Sequence, residues 1–184
     1  MNAINSIAVF CGSRVGTNPA YAEAGMALGR GLAEAGIRLV FGGGRIGMMG
    51  IVADAVLTHG GTVLGVIPDF LLSREVAHAG VTELVITDSM HSRKYRMAAE
   101  SDAFLCMPGG LGTLDETIEI ITWRQLGLHD KPILLCDVAG SVRPFVAAID
   151  AAVEQGFAAP GARDLFEVLD GVPAVLRRVI SRGA

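Results

Sequence analysis

The chain is poor in the residues that several common chemistries require. It holds three cysteines in 184 residues. Cys11, Cys106 and Cys136 lie far apart, and no CxxC occurs. That argues against a disulfide framework or a thiolate metal centre, and for reduced, packed thiols in a cytoplasmic protein. His59, His78, His91 and His129 show no ligand spacing, so each is expected on the surface or in packing, and no metal site is expected. Lys94 and Lys131 are the only lysines, and neither has a recognisable pyridoxal-binding context. A Walker A sequence is missing, which disfavours a P-loop NTPase, and a G-x-S-x-G elbow is missing too. The 15 basic residues form no block and the net charge is −4, so a nucleic-acid partner is not expected. No uncharged apolar run is long enough to span a bilayer. The opening MNAINSIAVF has no basic region before its apolar stretch, and is expected to form a first strand instead of a signal peptide.

Apolar residues, in contrast, are abundant. They make up 51% of the chain and mean hydropathy is +0.48, so this surface must be buried in strands or between subunits. The length suits one domain spanning 1–184. Apolar runs alternate with helical patterns. The expected strands are Ile7–Cys11, Ile37–Phe41, Thr62–Ile67, Glu83–Ile86, Ala103–Met107 and Pro132–Cys136. The expected helices are Pro19–Ala35, Met48–His59, His91–Glu100, Leu114–Leu128, Val142–Gln155 and Val172–Ser181. Val76 to Thr82 reads as a surface excursion. This order predicts an α/β fold: a Rossmann-like, doubly wound, mostly parallel sheet with helices on both faces. Ligands of such sheets bind beyond the carboxyl ends of the strands.

Four strand ends carry suggestive residues: Gly12-Ser13-Arg14, Gly42-Gly43-Gly44-Arg45, Pro68-Asp69, and the loop from Pro108. The richest is Pro108-Gly109-Gly110-Leu111-Gly112-Thr113-Leu114-Asp115-Glu116, between an apolar strand and an amphipathic helix. Glycines at such a junction let the backbone approach a ligand, and a helix N-terminus attracts a phosphate. A second reading makes Thr113 an N-cap and Glu116 its partner in a capping box, T-x-x-E, which only satisfies the helix. Gly42, Gly44 and Gly47 fit G-x-G-x-x-G, with Asp69 about 20 residues on, as a dinucleotide site would require. The motif follows the second strand, however, and a tight turn explains it equally well. Met48 and Met49 suit the core, with Met49 also assigned to a pocket wall. Arg93 stands near the start of its helix, where a cation opposes the dipole, so a role on anionic oxygens is favoured over a stabilising one.

In combination these residues resemble the LONELY GUY (LOG) family, the cytokinin riboside 5′-monophosphate phosphoribohydrolases. The resemblance rests on P-G-G-x-G-T-x-x-E from Pro108 to Glu116, and on Met90, Arg93, Lys94 and Met97. It extends to Ser101–Phe104, Ile121–Pro132, Cys11–Ser13 and Gly42–Gly50. Leu111 and Asp115 depart from the tyrosine and glutamate common in the family. The resemblance implies hydrolysis of the N-glycosidic bond of a nucleoside 5′-monophosphate, such as AMP, with no cofactor and in a homodimer. It implies Arg93 and Glu116 as the catalytic pair. Substrate binding would fall to Gly12, Ser13, Gly43, Gly44, Met49, Lys94, Gly109, Gly110, Gly112, Thr113 and Glu119. Two other classes stand beside this reading: a nucleotide- or cofactor-binding module without chemistry, and a pyridoxal-dependent decarboxylase.

Overall fold

The computed structural model describes residues 3–72 and 76–180. Seven parallel strands form one sheet: β1 (Ser6–Phe10), β2 (Arg38–Phe41), β3 (Val63–Pro68), β4 (Glu83–Thr87), β5 (Ala103–Cys106), β6 (Ile133–Asp137) and β7 (Glu167–Asp170). Among the described residues five helices connect strands, α1 (Pro19–Glu34), α2 (Gly47–Thr58), α3 (Met90–Ala99), α4 (Leu111–Gln125) and α5 (Arg143–Glu154), and α6 (Gly171–Ile180) follows β7. The strand order is β4-β3-β2-β1-β5-β6-β7. The chain therefore winds outward in one direction from β1 and in the other from β5. Ile7 pairs with Leu39 on one side and with Ala103 on the other.

Alternation along the central strands builds two cores. Ile7, Val9, Leu39 and Phe41 face a cluster shared with α1, α2 and α6. Ala8, Phe10, Val40 and Phe104 face a second cluster with Met97 of α3, Ile120 and Ile121 of α4, and the half-buried Phe145 of α5. Both faces of the sheet are thus covered, which is why its strands read as continuous apolar runs. α1 starts where Asn18 caps Ala20 N–H at 3.0 Å and Pro19 pre-sets the first turn. Its Gly29 lets α2 approach: an added Cβ would lie 2.5 Å from the Ala55 Cβ and 2.6 Å from the Val52 carbonyl oxygen.

The six expected strands and six expected helices are present, with no described boundary shifted by more than three residues. β7 was not expected: Glu167-Val168-Leu169-Asp170 is short and half-exposed at the sheet edge. α4 begins at Leu111, three residues before the expected start. Short 3-10 turns at Asp69–Leu71 and Pro160–Leu165 were also not anticipated. The excursion Val76–Thr82 exists, but it dips inward at His78, which is buried. Ser181, the expected end of α6, and Met1 and Asn2 of the opening stretch lie outside the described residues. No helix among the described residues is long and apolar enough to cross a membrane.

Candidate active site

The loops after β1 and β5 meet where the winding direction changes. Met107 N–H donates to the Phe10 carbonyl at 2.9 Å, and Gly12 N–H to the Pro108 carbonyl at 3.1 Å. Met48 N–H, at the start of α2, donates to the Gly12 carbonyl at 2.9 Å. Three segments distant in sequence are thereby held together. Gly109 is needed for this packing: an added Cβ would sit 2.0 Å from Thr113 Oγ1 and 2.9 Å from Gly12 N. Gly110 and Gly112 have nothing within 4 Å of that position, so both face open space.

α4 has Gly110 at its N-cap and no side-chain capping bond. The capping-box alternative is therefore corrected. Thr113 lies inside the first turn, where its carbonyl accepts from Thr117 Oγ1 at 2.6 Å, and Glu116 sits a full turn beyond any cap. The helix starts early because Leu111-Gly112-Thr113 completes its first turn, leaving backbone N–H groups with the positive end of the dipole behind them. A cavity of about 650 Å³ opens beside this end. Gly12, Ser13, Gly109, Gly110 and Thr113 line it, as do Tyr21 of α1, Ser141, Val142, and Phe145 of α5. The last four were not anticipated. The only sequence signal for Ser141 to Phe145 was their place just past the carboxyl end of β6.

The Arg93–Glu116 pair lies at the neighbouring strand ends and does not line this cavity. α3 begins with a reciprocal cap: Ser89 Oγ accepts from Ser92 N–H at 3.2 Å, and Ser92 Oγ accepts from Ser89 N–H at 3.1 Å. That start aims Arg93, one turn in, across the ends of β2 and β3. Its Nε donates to the Val66 carbonyl at 3.1 Å and its Nη2 to the Gly42 carbonyl at 3.0 Å. Its Nη1 lies 3.9 Å from Glu116 Oε1, with both side chains nearly buried. The carboxylate also stands close to the thiols of Cys11 and Cys106. Burial foremost, with this charge added, pushes Cys11 well above the ordinary thiol range. Burial and the same charge push Cys106 up to about 12 against the lowering bond from Thr117. The site thus holds a fixed cation and a fixed anion a few ångströms apart in a largely dry environment, where charge acts strongly.

The remaining expected residues fall into two groups. Lys94 reaches Asp115 at 2.7 Å and Glu119 at 3.1 Å, so it ties α3 to α4. Burial works against its charge, but the two carboxylates prevail and raise its pKa. Gly43, with φ +77°, packs on Ile67; Gly44 bridges Ala77 across the turn; Met49 is buried below Gly42. A Cβ at Gly42 would meet Arg93 Nη2 at 2.0 Å. The space that made this stretch look like a dinucleotide fingerprint is therefore occupied by a guanidinium. Asp69 is exposed and turns back to accept from Phe70 N–H. Lys131 donates to the Ala98 carbonyl at 2.7 Å, so each lysine is held in a structural bond.

Residues 49–179 match the protein family described as possible lysine decarboxylase. A cytokinin riboside 5′-monophosphate phosphoribohydrolase of Arabidopsis thaliana is 48% identical over 159 residues, 86% of this chain and 75% of that one. The enzyme named LOG in Oryza sativa subsp. japonica is 50% identical over 157 residues, 85% of this chain and 65% of its own. The chain belongs to the LOG family. Among solved structures, the molybdenum cofactor carrier protein of Chlamydomonas reinhardtii superposes with a TM-score of 0.72 at 21% identity, covering 96% of each chain. The molybdenum cofactor binding protein of Rippkaea orientalis gives 0.71 at 17%, covering 98% of each. These two likenesses concern the LOG-type Rossmann fold alone.

Proposed function

We propose that this LOG-family chain hydrolyses the N-glycosidic bond of cytokinin riboside 5′-monophosphates and of AMP, releasing the free base and ribose 5-phosphate. The observation that carries the reading is the junction at the switch point. An uncapped helix start opens on a cavity, and one turn further along the same helix Glu116 meets Arg93. The 5′-phosphate binds at the N–H groups opening α4, over Gly110, where no side chain intrudes. The ribose then lies toward Glu116. Breaking the bond to the base builds positive charge on the sugar, and a fixed carboxylate stabilises that charge without reorganising. Arg93 presents a guanidinium, a fixed cation with a fork of donors and no acceptor. Its role is to stabilise the phosphate or the charge developing on the departing base. Lys94, held by Asp115 and Glu119, fixes α3 against α4 and so sets the spacing of the catalytic pair.

The active form is a cytoplasmic homodimer. Leu111, Leu114 and Ile118 form an exposed apolar strip on α4, and Tyr95 of α3 is 71% exposed. Such a strip beside a binding cavity fits a subunit interface. Light scattering tests this, and a monomer would refute it. The reaction is tested by base release from AMP and N6-isopentenyl-AMP. Release of base with an equal amount of ribose 5-phosphate is expected. Saturable AMP binding without turnover would favour a binding module.

A further inference from the structure

We propose that His78 is a positioning residue for Arg93, acting through the Gly42–Gly44 turn with Asp54 as its anchor; this rests on the reading of Arg93 as part of the reacting site. Among the described residues, the connection from β3 to β4 carries no α-helix, only the 3-10 turn at Asp69–Leu71. Something else must hold it. His78 N–H donates to the Gly43 carbonyl at 2.9 Å, Arg45 N–H donates to the Val76 carbonyl at 2.9 Å, and Gly44 bridges Ala77 in antiparallel sense. The connection thus forms a small ribbon with the glycine turn.

The His78 side chain locks that ribbon to the body of the protein. That side chain is 4% exposed and its ring stands edge-on to Phe41, with centroids 6.5 Å apart. Gly80 N–H donates to Nδ1 at 3.2 Å, so the proton of the neutral ring is on Nε2, which donates to Asp54 Oδ1 of α2 at 2.9 Å. Val76, at φ +49°, adopts a conformation that a β-branched residue takes only when its surroundings impose it.

The turn pinned in this way is the one that carries Arg93. Gly42 supplies the carbonyl for Nη2. Gly43 lies along β3 with little room to spare: an added Cβ would sit 3.0 Å from Ile67 Cβ and 3.4 Å from the carbonyl carbon of Val66, whose oxygen accepts from Nε. If the ribbon loosens, both acceptors shift and the guanidinium loses its fixed place beside Glu116. A displacement of about 1 Å at such a group lowers the chemical step about 100-fold, while ground-state binding at α4 is untouched.

The test compares His78→Ala, His78→Gln and Asp54→Ala with wild type, in the full-length protein. The readouts are kcat and KM for AMP, and hydrogen exchange of the Arg93 Nε–H by 15N NMR against the Leu134 amide in β6. We expect His78→Ala and Asp54→Ala to lower kcat about 10- to 100-fold with little change in KM. Arg93 Nε–H exchange should speed up at least about 10-fold, with Leu134 unchanged, and His78→Gln, whose amide still donates to Asp54, should recover much of both. Unchanged Arg93 exchange in the folded variants overturns the proposal. If His78→Ala does not fold, the half-exposed Asp54→Ala decides alone. Exchange is read without turnover, so an inactive wild type would refute the hydrolase reading and leave the positioning test standing.

Discussion

Replacing Glu116 with glutamine removes a charge and almost nothing else. The side chain is 11% exposed, its shape is kept, and it caps no helix, because α4 begins five residues earlier at Leu111. At about 4 Å from the positive charge growing on the sugar, with an effective dielectric near 20, a carboxylate contributes about 4 kcal/mol. That is a factor of about 10³ in rate. The expected outcome is a kcat for base release reduced about 10³-fold, with KM for AMP within about threefold, since the proposed phosphate site on α4 is unaltered. Arg93 keeps its bonds to the Gly42 and Val66 carbonyls, so the variant should fold, with Tm lowered by a few degrees through the lost partner charge. The assay is chromatographic release of adenine, with ribose 5-phosphate counted in parallel. A rate within tenfold of wild type would refute the electrostatic role, whatever the wild-type substrate preference.

Further outcomes follow from neighbouring features. Gly110→Ala should fold normally but raise KM for AMP at least about tenfold, because the new methyl enters open space at the α4 N-terminus; equal KM values would remove the phosphate from this place. Gly29→Ala should lower stability by about 1–3 kcal/mol despite the better helix former, as overpacking against Ala55 and Val52 outweighs a propensity gain of about 1 kcal/mol; an unchanged thermal melt would contradict that packing. None of the three thiols should react with a disulfide reagent at pH 8 in the native protein. Burial pushes Cys106 and Cys136 up to about 12 and Cys11 higher still, so three should titrate only after denaturation, and rapid native labelling would refute this. The hydrogen bond from Arg38, with Arg96 nearby, holds Glu100 below the ordinary carboxylate range. Its folded pKa lies below the unfolded one, so its contribution is present above the ordinary value of 4.5 and fades as pH falls through the folded value. Urea melts of wild type and Glu100→Gln should therefore differ at pH 6 and converge at strongly acidic pH; a constant gap would refute the linkage.

The sheet was legible in the sequence because burial on both faces leaves strands without polar alternation, as in Ile7–Phe10 and Ile133–Cys136. β7 escaped because an edge strand needs no such run: Glu167 and Asp170 flank only two apolar residues. The loop before α4 was visible in its glycines, but the start of α4 was not, since Leu111-Gly112-Thr113 contains a poor helix former and T-x-x-E imitates a cap. Arg93 and Glu116 were recognisable as residue types in a motif. Their pairing came only with the family resemblance, and the hold on Arg93 over the ends of β2 and β3 was not legible, because it depends on partners 51 and 27 residues away. His78 was invisible for the same reason. A lone histidine in a loop gives no sign of an aspartate 24 residues earlier. The cavity wall of Tyr21, Val142 and Phe145 comes from α1 and the start of α5, two segments that only the winding of the sheet unites.

The closeness of the Gly42 α-carbon to the Arg93 guanidinium makes the two positions a single word in the language of this fold. A side chain at 42 and an arginine at 93 compete for one volume. A lineage can change the first only after abandoning the second. In a set of related chains, a side chain at position 42 therefore marks members whose guanidinium can no longer take this place, before any activity is measured.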